Sequence, residues 1–272
     1  MKRTTKKNIK RFAIAVPVLA IALYLIPWVT LFFLICGLID IGRNKGKTGL
    51  MYRRYFMGNG IPTWLLSPFN LAVDLITKRN PGVATLDDFP DEYRAEIESV
   101  LDTFKNRQDE IIADIDKSFD QGRRGMYVYR WFGKKQIENI EAFNGDFKFV
   151  KTIAVSVFSG KASTSWHYGP LRLSYRVLLN LTPTESDEIF IECNGKKHFW
   201  HENPLYIFDD TLFHRSINNH DARRYCVFMD VARPSAFPGL IDRLLDLVSA
   251  LADRVKSMFY KNWRMIGTAG KA

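Results

Sequence analysis

From Phe12 to Ile39 the chain runs for 28 residues without a charged side chain: FAIAVPVLAIALYLIPWVTLFFLICGLI. No other feature restricts the fold as strongly. A helix that crosses a bilayer needs about 20 apolar residues, and two crossings need about 40. The stretch is long for one crossing and short for two. A cleaved leader would have an apolar region of only about 7–15 residues. The sequence therefore predicts a membrane segment over 12–41, either a hairpin or a single tilted span. Pro27-Trp28 is the expected bend of a hairpin, because proline lacks the amide hydrogen and breaks a helix.

Charge bears on topology. Lys2, Arg3, Lys6, Lys7, Lys10 and Arg11 precede the segment, and Arg43, Lys45, Lys47, Arg53 and Arg54 follow it. Basic flanks prefer the cytoplasmic side, and a hairpin satisfies both. The expected location is the inner (cytoplasmic) membrane, with the rest of the chain on the cytosolic side and an anionic lipid surface as partner. The net charge of +10 does not point to nucleic acid, since the basic residues gather beside the apolar segment. The oligomeric state is not legible.

Two further stretches suit a membrane surface. Ile61 to Ile76, IPTWLLSPFNLAVDLI, is too short and interrupted to span, and its Trp and Phe suit the headgroup layer. Over 235–272, Leu240, Ile241, Leu244, Leu245, Val248, Leu251, Val255 and Phe259 form one stripe of an amphipathic helix. That helix either packs on the protein's own core or lies on the bilayer.

The middle of the chain reads differently. Residues 89–119 have helical spacing with acidic residues early and predict one or two exposed helices. Strand-like runs follow at 126–132, 147–158, 171–181, 188–194, 204–208 and 224–232, separated by turn signals such as NGD, SGK and CNGKK. Short strands with no intervening helix predict a mainly β fold, a sandwich or jelly roll. Within 171–181, Leu173, Tyr175, Val177, Leu179 and Leu181 share one face. Arg172, Ser174, Arg176 and Asn180 share the other with Leu178. That polar face either meets water or lines a cavity. Cys36, Cys193 and Cys226 match no zinc spacing, and their odd number argues against a disulfide framework.

One ordered set of residues carries chemistry. His167 lies in SWHYG, Arg176 follows it by nine residues, His214 closes IFDDTLFH, Arg224 follows by ten, and DVARP ends the set. On these residues the chain resembles the aspartyl/asparaginyl β-hydroxylase family of iron(II)/2-oxoglutarate dioxygenases. Within it, the likeness is greatest to bacterial membrane-bound hydroxylases of lipid A acyl chains. The resemblance implies a double-stranded β-helix, a jelly roll or cupin-like barrel, with flanking helices. It implies iron(II) held by His167 and His214, 2-oxoglutarate as cosubstrate and O2 as oxidant. Arg224 matches the arginine for the distal carboxylate of 2-oxoglutarate, Arg176 a further cosubstrate arginine, and Ser156 a hydroxyl that assists. Neutral imidazole is a good iron ligand, and a guanidinium pairs with a carboxylate better than lysine does.

The set departs from the common oxygenase triad at one point. The third ligand is usually a carboxylate two residues after the first histidine, and here that residue is Gly169. Some members of the β-hydroxylase branch share the gap and work with two histidines and water. Asp210, four residues before His214, is the candidate to orient that water. Asp209 reads as a turn residue or a partner of the metal ligands. His198 and His201 have ligand-like spacing in a charged loop, and His220 reads as a surface turn residue.

The expected organisation is a basic tail (1–11), the membrane segment (12–41), a basic amphipathic juxtamembrane region (42–85), a dioxygenase domain (86–234; helical lead-in 86–125, jelly roll 126–234) and the C-terminal amphipathic helix (235–272). The expected function is hydroxylation of a lipid acyl chain, of lipid A or a related lipid, with 2-oxoglutarate decarboxylated to succinate. The alternatives are a peptidyl aspartyl/asparaginyl β-hydroxylase and a non-catalytic membrane-tethered barrel.

Overall fold

The computed structural model describes residues 3–119, 123–259 and 264–266. The apolar leader is two helices, α1 (Arg3–Leu25) and α2 (Pro27–Gly42). The break falls at Ile26, whose φ of −138° is not helical and which precedes Pro27. This is where the sequence placed a bend. The stretch expected as a membrane segment is thus two helices and not one continuous helix. The apolar part of α1 starts only at Phe12, and α2 has 16 residues. Among the described residues no helix is long and apolar enough to cross a membrane.

Three short helices follow: α3 (Gly49–Met57), capped by the Thr48 hydroxyl on the Met51 amide, α4 (Ile61–Leu65) and α5 (Ser67–Ile76). They form a helical unit with the C-terminal half of α2. Gly37 of α2 lies against the Trp64 indole, which donates to the Phe33 carbonyl at 2.9 Å. After the short strand β1 (Val83–Ala84) come α6 (Asp91–Asn106) and α7 (Gln108–Ser118), separated at Arg107. They are not the exposed helices the charge suggested. Tyr93, Ile97, Val100, Leu101, Phe104, Ile111 and Ile115 are buried, a stripe at helical spacing that the acidic residues mask in sequence.

The remaining strands are β2 (Arg124–Trp131), β3 (Lys134–Lys135), β4 (Val150–Phe158), β5 (Ser174–Asn180), β6 (Ile189–Cys193), β7 (Lys196–Phe199), β8 (Leu205–Phe208), β9 (His214–Asn218) and β10 (Arg224–Ala232). After α8 (Pro238–Phe259), β11 (Arg264–Ile266) joins β2 in parallel. The larger sheet runs β1-β8-β5-β10-β4-β2-β11, with β3 on β2, and the smaller runs β7-β6-β9. The region 124–232 is mainly β, and among the described residues the strands pair antiparallel except for β11 on β2.

Each face of the larger sheet has its own core. Tyr175, Val177, Leu179 and Leu181 pack with Ile97, Phe104 and Ile115 of the helices. Leu178, Ala154, Cys226 and Phe228 pack with Ile191 and Cys193 of the smaller sheet. The polar face of β5 therefore looks into the space between the sheets, not into water. Glu96 on α6 fastens the helices to the sheet. Its carboxylate accepts from the Lys148, Phe149 and Val150 amides at 2.9, 2.7 and 2.6 Å.

The C-terminal helix packs on the protein's own core and keeps an exposed row of leucines. Ile241 and Leu245 of α8 are buried against Val73, Leu173 and Ala232. Leu240, Leu247 and Leu251 stay exposed. Val255 and Phe259 lie outside the residues whose side chains are described.

Candidate active site

Sheet register gathers the site. On β10, Arg224, Cys226, Phe228 and Asp230 alternate onto one face. Their partners on β4 include Phe158 and Ser156, and on β5 Asn180 and Arg176. Arg224, Ser156 and Arg176 therefore share the face that looks toward the smaller sheet.

The two histidines come from different parts of the chain and meet across an isolated antiparallel bridge. Their amides and carbonyls exchange bonds of 2.9 and 3.1 Å, and the ring centroids lie 4.1 Å apart. Each ring is locked in the same way. Nδ1 of His167 bonds the Ser165 carbonyl, and Nδ1 of His214 the Leu212 carbonyl, both at 2.7 Å. A carbonyl only accepts, so Nδ1 carries the proton and Nε2 keeps its lone pair for a metal. Burial pushes both imidazoles toward the neutral form, His167 to about 3, with the second ring adding to the effect, and His214 to about 4.

Gly169 faces Asp210. The Gly169 amide donates to the Asp210 carbonyl at 2.7 Å, and a Cβ at position 169 would overlap the Asp210 carboxylate. The carboxylate lies 3.4 Å from Nε2 of His214 and is held by Arg176 at 3.4 Å. Arg176 also donates from Nε to Asp230 at 2.8 Å and lies over the Phe228 ring at 3.6 Å. Arg176 is thus paired with two acids and orders Asp210, a role the sequence did not show. Among the described residues no group of three or more His, Cys, Asp or Glu side chains could hold a metal ion. The two imidazoles stand together, with Asp210 beside them.

Arg224 is 2% exposed. Its Nη2 donates to the Ser216 hydroxyl at 2.7 Å, two residues beyond His214 on β9. Its Nε and Nη1 are buried without a partner. Unpaired buried donors on a guanidinium are costly, and an anionic ligand would lower that cost. Arg224 also borders a cavity of about 420 Å³ lined by Thr182, Thr184, Ser186 and His220. The Ser156 hydroxyl donates to the Cys226 carbonyl at 3.0 Å, which leaves its lone pairs available. The donor set fits iron(II) and a diacid: two neutral imidazoles with free Nε2 atoms, and a buried guanidinium with two open donors.

The other candidates do not join the site. His201 pairs with Asp187 at 2.7 Å, and His198 bonds the Asn203 carbonyl at 2.8 Å. His220 is exposed and bonds the Ala222 amide through Nδ1 at 3.1 Å.

Residues 126–234 match the family model of aspartyl/asparaginyl β-hydroxylase, and that span contains all six candidate residues. The model that matches is that of the family whose pattern these residues resemble. The ornithine lipid ester-linked acyl 2-hydroxylase of Rhizobium tropici is 28% identical over 164 residues, covering 56% of this chain. The match spans 57% of that relative's length. Among solved structures, an oxidoreductase of the 2OG-Fe(II) oxygenase family from Burkholderia pseudomallei aligns over 34% of this chain and 48% of its own, at 9% identity and a TM-score of 0.27. A cupin domain from Bordetella pertussis Tohama I aligns over 32% and 85%, at 16% identity and a TM-score of 0.24. Likeness this partial adds nothing to the sheet topology described above.

Proposed function

We propose that the protein is a membrane-seated Fe(II)/2-oxoglutarate-dependent dioxygenase that hydroxylates a lipid acyl chain. The observation that carries the chemistry is the pair of Nδ1-locked histidines beside Arg224, a buried guanidinium with two open donors. His167 and His214 would hold the iron through Nε2. Arg224, with Ser156 near it, would hold the distal carboxylate of 2-oxoglutarate. Asp210, kept in place by Arg176, would orient a water at the position that Gly169 leaves without a side chain. Iron(II) with 2-oxoglutarate and O2 supplies hydroxylation at an unactivated carbon, with release of carbon dioxide and succinate. The protein's task is to hold these groups and aim the target carbon.

The lipid assignment draws on the Rhizobium relative's name and on the surface. Tyr24, Trp28 and Leu75 are more than 80% exposed, and Phe32, Ile35, Leu38 and Ile39 of α2 are more than half exposed. An apolar surface of this size in a soluble domain marks an interaction site. With the exposed Lys45 and Lys47 at its edge, it suits insertion into the cytosolic leaflet of the inner membrane, with anionic headgroups around it. An aminolipid or lipid A is the substrate class.

Comparing lipid extracts from cells with and without the gene tests the proposal. A lipid species heavier by one oxygen atom, lost with His214→Ala, is the expected result. No such species sinks the lipid assignment, and absence of oxygen-dependent succinate release from the purified protein sinks the chemistry. The peptidyl aspartyl/asparaginyl β-hydroxylase reading takes its support from Gly169. Succinate release driven by a peptide but by no lipid would establish it.

A further inference from the structure

The loop that leaves α2 grips the loop that delivers His214. Arg43 Nη2 reaches Asp209 Oδ2 at 2.8 Å, across 166 residues of sequence. The next residue, Asn44, is 3% exposed, and its side-chain oxygen accepts from the Phe213 amide at 2.7 Å. Lys45 follows, its amide donating to Asn194 Oδ1 at 2.5 Å, while the Asn194 amide donates to the Phe213 carbonyl at 3.1 Å. Three consecutive residues thus hold both ends of the segment 209–213, which contains Asp210 and leads into His214.

That segment sets the geometry of the histidine. Asp209 Oδ1 accepts from the Thr211 amide at 2.9 Å and the Thr211 hydroxyl at 2.6 Å. Its carbonyl accepts from the Leu212 amide at 3.0 Å. Leu212 in turn offers the carbonyl that locks His214 Nδ1. A shift of Asp209 therefore passes through one turn to the His214 ring.

Asp209 is itself charged and fully buried, so its position depends on its partners. Arg172, 1% exposed, approaches it at 3.3 Å and also pairs with Asp40 of α2 and, at 2.6 Å, with Asp74 of α5. Arg233 completes the set on Asp74 at 2.7 Å. Three guanidiniums and three carboxylates balance inside the protein. Burial alone would raise the Asp209 carboxyl, but Arg172 and then Arg43 outweigh it and hold the group well below the usual carboxylate range.

We infer that Arg43 and Asn44 are positioning residues for the metal site, so that the site is complete only while the helical unit is seated on the barrel. The inference rests on the reading of His167 and His214 as the metal pair. Its test uses the full chain in detergent, with cobalt(II) as probe, followed by titration and by its visible absorption. Arg43→Ala and Asn44→Ala should each weaken cobalt binding at least tenfold and alter the absorption band. Arg43→Lys, which keeps a cation beside Asp209, should recover most of the loss. Glu96→Ala, on the far side of the larger sheet, controls for stability alone. It should lower the melting temperature and leave cobalt affinity within twofold of the wild type. Affinity within twofold for both loop variants overturns the inference, as does an equal loss in Glu96→Ala. A wild-type protein that binds no cobalt overturns the metal reading itself, which separates the two failures.

Discussion

The Asp210 carboxylate occupies the space that any side chain on residue 169 would need. In this chain the glycine and the aspartate are a matched pair: one gives up its side chain, and the other fills the place. Gly169→Ala forces an overlap in a site held by short bonds. It should destabilise the fold by about 1–3 kcal/mol, the usual cost of overpacking, as measured by denaturant unfolding. An unchanged midpoint would show that Asp210 can move aside freely.

The locked imidazoles predict the metal stoichiometry. The protein should bind one divalent ion, and either His167→Ala or His214→Ala should abolish binding, because one remaining imidazole is a poor site. Elemental analysis after dialysis checks this. Retention of stoichiometric metal by both variants would mean the ion sits elsewhere.

Arg224 should be read through the cosubstrate. Losing a charge-assisted contact costs roughly 1.5–3 kcal/mol, so Arg224→Ala should raise the KM for 2-oxoglutarate about tenfold to a hundredfold while metal binding persists. If the KM stays the same, the two open donors serve another ligand.

Glu96 supplies a stability prediction remote from the chemistry. Its carboxylate satisfies three consecutive amides at the start of β4. Glu96→Ala should cost about 2–3 kcal/mol, since buried donors left unpaired are expensive. Chemical denaturation measures it, and a loss under about 0.5 kcal/mol, the scale of an ordinary surface substitution, would show that water replaces the carboxylate at no cost.

The outer stripe of α8 should matter only at a bilayer. Replacing Leu240, Leu247 and Leu251 together by serine should reduce binding to anionic vesicles at least tenfold without changing the melting temperature in detergent. Equal sedimentation with vesicles would remove α8 from the membrane contact.

Much of the two-sheet core was legible because its strands are runs of β-branched and aromatic residues punctuated by glycine turns. The strand that delivers His214 was not legible. HRSIN in β9 has no apolar alternation, since its inward positions are His214, Ser216 and Asn218. The helices at 91–118 were misjudged for a related reason: surface acids outnumber the buried stripe that holds them to the sheet. The histidine and arginine spacing was visible as a pattern, but Arg176 was read as a cosubstrate ligand and lies between Asp210 and Asp230. Arg43 and Asn44 gave no signal at all. In sequence Arg43 is one basic residue among several after an apolar helix, and its partner is 166 residues away.

The grip of that loop has a practical edge. Gly46, at φ +64°, leaves so little room that a Cβ there would lie 3.2 Å from the Gly195 backbone. A worker who trims the apolar N-terminal helices to obtain a water-soluble protein would naturally cut after the second of them. Cutting there discards Asp40 and frays the residues that hold the segment leading into His214. Solubilising substitutions on the outer face of α2 would spare that segment where truncation would not.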